Sequence, residues 1–152
     1  MDAHTYLIDW AVNFYRNKDA FTKKIVSIEK NRNGFDVCIK YKDKEQYVIA
    51  MAAFNADVLI QKLSGDKSYS AVMLNSSENF REMIKNWKKL AEFRFLSIVF
   101  CNPFSQTDKK WTIYPHTHDK IGDHSSLELG LKSMFDMVEP INEQQLNSKI
   151  KG

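Results

Sequence analysis

Residues 71–100, "AVMLNSSENFREMIKNWKKLAEFRFLSIVF", decide the fold of this chain. The stretch begins and ends with short runs, at 71–74 and 95–100, that are apolar on both faces and typical of strands covered on both sides. Between them, apolar side chains recur at intervals of three and four, which predicts an amphipathic helix with Ser76 or Ser77 as its N-cap. The stretch therefore predicts a strand, a helix and a second strand, arranged as a βαβ unit.

The segment before it extends this pattern toward the N-terminus. Residues 46–54, "QYVIAMAAF", contain a further run that is apolar on both faces and predicts a third covered strand. Residues 55–64, "NADVLIQKLS", predict a short helix that ends at Gly65. Because a strand of this kind is shielded on both sides, we expect helices over both faces of the sheet.

An alternating pattern predicts antiparallel strands upstream of these elements. Apolar and polar side chains alternate over 35–41, as they do on a strand with one covered face. The pair Asn33-Gly34 readily takes the positive φ angles of a type I′ hairpin turn, and "KDKE" at 42–45 predicts a second turn. Together these signals predict a three-stranded antiparallel meander.

The two ends of the chain predict further elements. Residues 5–17, "TYLIDWAVNFYRN", carry an apolar stripe at helical spacing, and residues 125–138, "SSLELGLKSMFDMV", carry another. Ser125 and Glu128 have the spacing of a capping box at the start of the later helix. Residues 111–118, "WTIYPHTH", predict one more strand.

These elements predict an α/β fold, with α+β as the alternative class. We expect a single mixed β-sheet that contains the three-stranded antiparallel meander and is flanked by helices on both faces. Nothing in the sequence divides residues 1–140, which we interpret as one α/β domain. Residues 141–152 are polar and lack a clear apolar stripe, so we expect a loosely held C-terminal tail.

Hydrophobic runs, cysteines and net charge indicate where the protein is found and which kinds of partner it can bind. No apolar run approaches the roughly 20 residues that span a bilayer, and the first residues lack the basic start of a signal peptide, so we expect a cytoplasmic protein without a membrane partner. Cys38 and Cys101 lie in apolar runs, where we expect buried, reduced thiols. The net charge of +3 permits an acidic partner without demanding one. A protein partner or a homodimer agrees equally well with this composition.

The stretch "WTIYPHTHDKIGDHSS" at 111–126 is the densest in potential chemistry. On a strand, His116 and His118 would share one face, and with Asp119 they form a candidate metal site. The residues Asp123, His124 and His4 are further candidate ligands. The alternative interpretation is structural: Pro115 marks the end of a strand, and the residues after it form a turn and a helix cap.

The start of the last helix suggests a candidate anion site. Free backbone N–H groups at a helix start attract anions, and here Ser125 and Ser126 add hydroxyl groups while Lys120 adds a cation. The alternative is that Ser125 is only a helix cap.

The order helix, three-stranded meander, helix, strand, helix, strand over residues 5 to about 102 resembles the core of the restriction-endonuclease-like, PD-(D/E)XK, nucleases. The resemblance implies divalent metal ions held by acidic residues for phosphodiester hydrolysis. The matching candidates are Asp36 on the second strand and Glu45 at the start of the third. Tyr47 occupies the position of the family lysine, so the resemblance implies a degenerate motif.

Three functional hypotheses follow. The first is a noncatalytic α/β module, related to nuclease-like domains or not, that binds a macromolecular partner and needs no cofactor. The alternative is a metal-dependent phosphoester hydrolase, with a zinc-like ion on His116 and His118 or a magnesium-like ion on Asp36 and Glu45. The third is nucleic-acid binding without hydrolysis, provided that adjacent lysine pairs converge in space; these pairs are Lys23 and Lys24, Lys88 and Lys89, and Lys109 and Lys110.

Overall fold

The strands form one mixed sheet in the computed structural model, which describes residues 1–121 and 123–152. In chain order they are β1 (Ile25–Arg32), β2 (Phe35–Tyr41), β3 (Glu45–Met51), β4 (Ser68–Leu74), β5 (Leu96–Cys101) and β6 (Lys110–Ile113). They lie side by side in that same order. The β1–β2 and β2–β3 pairs are antiparallel, the β3–β4 and β4–β5 pairs are parallel, and β6 is antiparallel to β5. The predicted α/β class and the mixed sheet with its meander are confirmed.

Helices cover both faces of the sheet, as predicted. The helices are α1 (Ala3–Asp19), α2 (Ala56–Lys62), α3 (Ser77–Lys85), α4 (Trp87–Leu90), α5 (Pro115–His118), α6 (His124–Asp136) and α7 (Glu143–Lys151). One apolar cluster joins the sheet to α2, α3, α4 and α6, and a second joins its other face to α1 and α7. In the part of the chain that the structure describes, no helix combines the length and apolarity needed to cross a bilayer.

Burial explains why β3, β4 and β5 occupy the middle of the sheet. Val48 and Ala50 of β3 pack in the cluster beneath α1, whereas Ile49 between them packs in the cluster beneath α2 and α3. All residues of β5 are buried.

Upstream, Asn33 and Gly34 have φ angles of 56° and 80°, which agrees with the predicted type I′ turn between β1 and β2.

The predicted strand over residues 111–118 is wrong in its second half. Strand β6 ends at Ile113, and Pro115 begins the short helix α5. Proline has no N–H for a strand ladder, and its fixed φ suits the first position of a helix. Consecutive residues of a helix turn by about 100°, so His116 and His118 do not share the face that a strand would have given them.

The predicted N-cap and the predicted capping box of the helix α6 are corrected as well. Asp123, rather than Ser125, is the N-cap of α6, and its side chain accepts a hydrogen bond from Ser126 N–H. The helix therefore starts too early for the predicted capping box of Ser125 and Glu128. Gly122, within the turn predicted before this helix, lies outside the described residues.

The C-terminal tail is a packed helix instead of a loosely held segment. Asn142 and Gln145 form a capping box at the start of α7. Ile141 and Leu146 are 2% and 0% exposed, and both belong to the cluster beneath α1. So few apolar residues make no clear stripe in the sequence, yet they suffice to fasten the helix. Residues 141–152 are thus part of the same packed structure as the rest of the chain.

We expect Leu146→Ala to lower the free energy of unfolding by about 2–5 kcal/mol, because it removes a fully buried side chain from the α1–α7 cluster. Urea denaturation of the full chain measures the change. Gln144→Ala, on the exposed side of the same helix, is the control and should stay within about 0.5 kcal/mol of the parent chain. Equal stability of Leu146→Ala and the parent chain would show that α7 does not pack stably against the cluster beneath α1.

Candidate functional site

Asparagine side chains close the edge of the sheet where the parallel strands end. Asn75, directly after β4, donates hydrogen bonds from Nδ2 to the carbonyl oxygens of Phe135 (3.1 Å) and Val138 (2.9 Å). Its Oδ1 accepts a hydrogen bond from Trp111 Nε1 at 2.8 Å. Asn75 is fully buried. This side chain therefore ties the end of β4 to the end of α6 and to β6.

Two further asparagines complete this closure. Asn79 donates from Nδ2 to the carbonyl oxygens of Ala52 (2.8 Å) and Leu74 (2.9 Å), which follow β3 and end β4. Asn102, directly after β5, donates from Nδ2 to the carbonyl oxygen of Glu139 at 2.9 Å. The carboxyl ends of the parallel strands are therefore occupied by the protein's own polar groups, and a ligand site is better sought at their amino ends.

A pocket of about 370 Å³ opens at the amino ends of β3, β4 and β5. Its walls come from the last turns of α1, the loop before β1, the β2–β3 turn and the residues after β6. The lining residues are Phe14, Tyr15, Lys18, Asp19, Thr22, Lys24, Tyr41, Asp43, Lys44, Gln46, Ser68, Phe95, Ser97, Val99, Thr112 and Tyr114. An adjoining depression shares four of these residues and adds Asn17 and Lys110. We call the two together the lysine pocket.

Four exposed lysines surround the lysine pocket: Lys18, Lys24, Lys44 and Lys110. Lysine and aromatic side chains meet at its rim, since the Nζ of Lys44 lies 5.4 Å from the ring centre of Tyr41 and that of Lys110 lies 5.6 Å from the ring centre of Phe14. Within residues 1–121 and 123–152, none of the four lysines forms an ion pair with a carboxylate. Their ammonium groups are therefore not held in close ion pairs, although Asp19 and Asp43 share the pocket with them.

Asp19, a carboxylate at the pocket wall, serves to close the loop before β1. It accepts hydrogen bonds from the backbone N–H groups of Lys24 (2.8 Å) and Ile25 (3.0 Å) and from Thr22 Oγ1 (3.1 Å). Desolvation acts to raise the pKa of Asp19, but the hydrogen bonds from Ile25, Lys24 and Thr22, together with the charge of Lys24, hold the pKa below its usual value. Asp43 is a second carboxylate at the rim.

The floor of the lysine pocket carries neutral hydrogen-bonding groups. The Tyr15 hydroxyl bonds to the hydroxyl of Ser70, and Ser97 Oγ donates to Ser70 Oγ at 3.2 Å. Gln46 Nε2 donates to the Tyr15 hydroxyl at 3.4 Å. Burial raises the pKa of Tyr15 to about 12, so this hydroxyl keeps its proton at neutral pH. The positive charge of the pocket thus lies at its rim and not at its floor.

Aromatic side chains stand around the same opening. Phe14 stacks on Trp10 with ring centres 5.2 Å apart, which holds its ring in place at the pocket wall. Tyr114 and Phe95 also line the opening and are 45% and 49% exposed, and Tyr114 stacks on His118 with ring centres 6.3 Å apart. Exposed aromatic rings beside lysines provide both stacking surfaces and cations for a ligand.

Asp36, a candidate from the nuclease resemblance, has structural partners. The β2–β3 ladder ends at the pair Val37 and Val48, and the Asp36 carboxylate accepts the next hydrogen bond, from Ala50 N–H, at 2.8 Å. Its other oxygen lies 3.1 Å from His4 Nε2. Asp36 therefore extends the strand pairing by a side chain and joins α1 to the sheet.

Glu45, the second such candidate, lies at the opposite end of the β2–β3 pair. It stands across from Lys40, and its Oε2 accepts a hydrogen bond from the Tyr47 hydroxyl at 2.8 Å. This bond to Glu45 raises the pKa of Tyr47. Lys67 Nζ lies 5.7 Å from the ring centre of Tyr47, so another element brings a cation near this position. Asp36 and Glu45 are not brought together.

The histidine candidates also have separate partners. His116 Nδ1 hydrogen-bonds to the carbonyl oxygen of Ala91 at 2.8 Å, and His118 Nδ1 bonds to that of Tyr114 at 3.0 Å. Asp119 accepts a hydrogen bond from Trp87 Nε1 at 2.8 Å, which lowers its pKa. Over the described ranges, no three His, Cys, Asp or Glu side chains are grouped in a way that could hold a metal ion.

The candidate anion site at the start of α6 holds a carboxylate of the protein itself. The backbone N–H of Ser126 donates to Asp123 Oδ1 at 2.8 Å, and the hydrogen bond from Ser126 lowers the pKa of Asp123. Lys120 and Ser125 are both exposed. An anion at this helix start would therefore compete with Asp123 for the same amide groups.

Sequence reasoning missed most of the lysine pocket. Lys24 and Lys110 were recognised as members of lysine pairs, whereas Lys18, Lys44 and Gln46 were not recognised. One signal was available: Ser70 and Ser97 interrupt apolar strands. A polar residue that is buried in a central strand needs a hydrogen-bond partner, and here that requirement indicates the floor of a site.

Comparisons with known proteins add no relative to this description. No family model matches the chain, and the searches of curated proteins and of solved structures gave no significant match. The geometry of the described residues therefore carries the functional argument.

Tyr15 makes the stability of the chain depend on alkaline pH. Its pKa rises from 10.0 in the unfolded chain to about 12 in the folded protein, so its contribution is complete below pH 10 and is lost as pH rises through 12. We expect the parent chain to lose about 2–3 kcal/mol over this window that Tyr15→Phe does not lose. Urea unfolding at a series of pH values measures the difference. Tyr6→Phe is the control and should follow the parent chain, and an identical decline in Tyr15→Phe would contradict the assignment.

Asp36→Ala should destabilise the fold, because it leaves Ala50 N–H without its acceptor. The expected loss in the free energy of unfolding is about 1–3 kcal/mol. Asp36→Asn keeps an acceptor oxygen at the same place and should lose less. Chemical denaturation of both variants tests the structural role, which unchanged stability of Asp36→Ala would refute.

Proposed function

We propose that this chain is a noncatalytic α/β module that binds single-stranded nucleic acid in the lysine pocket. One observation carries the proposal: Lys18, Lys24, Lys44 and Lys110 come from separate elements and converge around exposed aromatic rings. Proteins that bind single strands combine cations that follow the phosphate backbone with aromatic side chains on which bases stack.

Convergence distinguishes these lysines from ordinary surface charge. Lys24 and Lys110 belong to adjacent pairs, and the Nζ of Lys109, next to Lys110, bonds instead to the carbonyl oxygen of Pro103 at 3.4 Å. Lys18 and Lys44 approach from α1 and from the β2–β3 turn. The net charge of the chain is only +3, so binding of a phosphate backbone would depend on this local concentration of cations more than on the overall charge.

A single strand fits the chemistry of the pocket better than a duplex does. The rings of Phe14 and Tyr114 line a concave opening. In a duplex the faces of the bases are stacked on one another and cannot reach these rings. An unpaired strand can place a base between the aromatic walls while its phosphates stay near the lysines at the rim.

The floor of the pocket supports binding without hydrolysis. Tyr15, Ser97 and Gln46 are neutral there, and Tyr15 keeps its proton because burial raises its pKa to about 12. Activation of water for phosphodiester cleavage needs a base or a metal-bound hydroxide next to the phosphate. The carboxylates that the nuclease resemblance implies, Asp36 and Glu45, have other hydrogen-bond partners.

The proposal includes a degenerate relationship to restriction-endonuclease-like domains. Its support is the order α1, β1–β3, α2, β4, α3, β5, with the short helix α4 after α3, which follows the order on which the resemblance rests. The presence of Tyr47 in place of the family lysine agrees with a module that has kept a nucleic-acid ligand without the cleavage chemistry.

Fluorescence anisotropy with a labelled single-stranded DNA of about 12 nucleotides tests the proposal. We expect binding that weakens steeply between about 50 and 200 mM salt, with a log–log slope near −2 to −3 if about four phosphates are contacted. The combined variant Lys18→Gln, Lys24→Gln, Lys44→Gln and Lys110→Gln should lose most of the affinity and most of the slope.

A charge-matched control separates the pocket from general attraction. The variant Lys40→Gln, Lys85→Gln, Lys89→Gln and Lys151→Gln removes the same charge from exposed positions outside the pocket and should bind almost as the parent chain does. Equal losses in the two variants, or no binding of single-stranded DNA by the parent chain at low salt, would overturn the proposal. Tighter binding of a duplex of equal length would also contradict it.

A further inference from the structure

The floor of the lysine pocket carries neutral hydrogen-bonding groups and its rim carries lysines. This arrangement suits one nucleotide, with its base at the floor and its phosphates at the rim. We infer that a single unstacked base enters the pocket edge first, and that Gln46 and Ser97 favour adenine or cytosine over thymine or uracil. This inference rests on the proposed binding of single strands and adds a base preference to it.

The direction of each hydrogen bond determines what the floor offers to a ligand. Ser97 uses its one hydroxyl hydrogen in the bond to Ser70, so toward the pocket it can only accept. Gln46 uses one hydrogen of Nε2 in the bond to Tyr15 and keeps the other. The Oε1 of Gln46 has no protein partner among the residues that the structure describes. The floor thus presents two acceptors and one donor.

Adenine and cytosine match this set of groups. Each carries an exocyclic amino group, which donates two hydrogens, beside a ring nitrogen that accepts one. Gln46 can pair with the amino group and the ring nitrogen together, as glutamine does with adenine in DNA grooves. Ser97 can then accept the second amino hydrogen.

Thymine and uracil match it less well. Their pairing edge has a single N–H donor between two carbonyl oxygens, so one carbonyl would face the Ser97 oxygen with no hydrogen between them. A polar site that is left unpaired by the wrong ligand discriminates strongly against it.

The size and walls of the pocket agree with a single base. Its volume of about 370 Å³ is near the lower end of the range of ~300–1,000 Å³ that small-molecule sites occupy. Val99 offers an apolar contact beside the polar floor, and the rings of Phe14 and Tyr114 line the walls. Lys18, Lys24 and Lys44 at the rim are in place for the phosphates on either side.

Anisotropy titrations with labelled oligo(dA), oligo(dC) and oligo(dT) of equal length test the preference. We expect the parent chain to bind oligo(dA) and oligo(dC) about tenfold more tightly than oligo(dT). Gln46→Ala should reduce this ratio toward one by weakening the binding of oligo(dA) and oligo(dC) more than that of oligo(dT). Gln61→Ala, on the exposed side of α2, is the matched control and should keep the ratio.

A second variant and a second measurement guard against a folding defect. Gln46→Met keeps the volume of the side chain without its hydrogen-bonding groups and should give the same loss of preference as Gln46→Ala. A single 2-aminopurine in oligo(dT) should change its fluorescence on binding to the parent chain, because the base enters between aromatic rings.

The outcomes separate the two proposals. Binding of all three oligonucleotides with equal affinity, or a preference that Gln46→Ala and Gln46→Met leave intact, would overturn the base preference and leave single-strand binding standing. If no oligonucleotide binds, the proposed function fails and the base preference fails with it.

Discussion

The burial of β3, β4 and β5 on both faces is the constraint on which the rest of this structure depends. Strands that are covered on both sides can satisfy their backbone groups only through neighbouring strands, so they lie in the middle of the sheet and need helices above and below. The helices α2 and α3 return the chain between parallel strands and cover one face. The other face is left to α1 and α7, which the sequence supplies at its two ends. Because the three strands run in parallel, all their amino ends meet at one edge, and the protein has one candidate site there.

The carboxyl and amino ends of the parallel strands differ because different residues lie at them: the carboxyl edge is closed and the amino edge is open. At the carboxyl edge, Asn75, Asn79 and Asn102 bind backbone carbonyl groups of neighbouring segments, and little polar capacity is left for a ligand. At the amino edge, short side chains such as Ser97 lie beneath the end of α1 and leave a cavity. The antiparallel strands β2 and β6 end at this same edge, so the β2–β3 turn adds Lys44 to it and the residue after β6 adds the ring of Tyr114. The site is thus a product of strand direction as much as of residue type.

The sequence predicted those parts of the fold that depend on local pattern. Apolar runs located β3, β4 and β5, and Asn33-Gly34 located the first hairpin, because both signals lie within a few residues. The errors arose where one residue decides between alternatives: Pro115 starts a helix instead of ending a strand, and Asp123 caps α6 two residues before Ser125. Leu146 shows another limit, since a few apolar residues hold a helix in place when tertiary contacts bury one of them completely. The site was largely beyond prediction because its lysines come from α1, two turns and β6, and only the folded sheet brings them together.

The hydrogen bonds of Asn75 have a consequence for the motions of the chain. They fasten the end of β4 to α6 and β6 through a buried side chain, so this edge opens only when most of the core opens with it. At the amino edge a cavity lies beneath the end of α1, which contacts such as the one between Tyr15 and Ser70 hold over the sheet. Local opening therefore costs less at the pocket than at the asparagines. Backbone amides should exchange with deuterium sooner at the start of β4 than at its end, which would make the pocket edge the adaptable half of an otherwise rigid sheet.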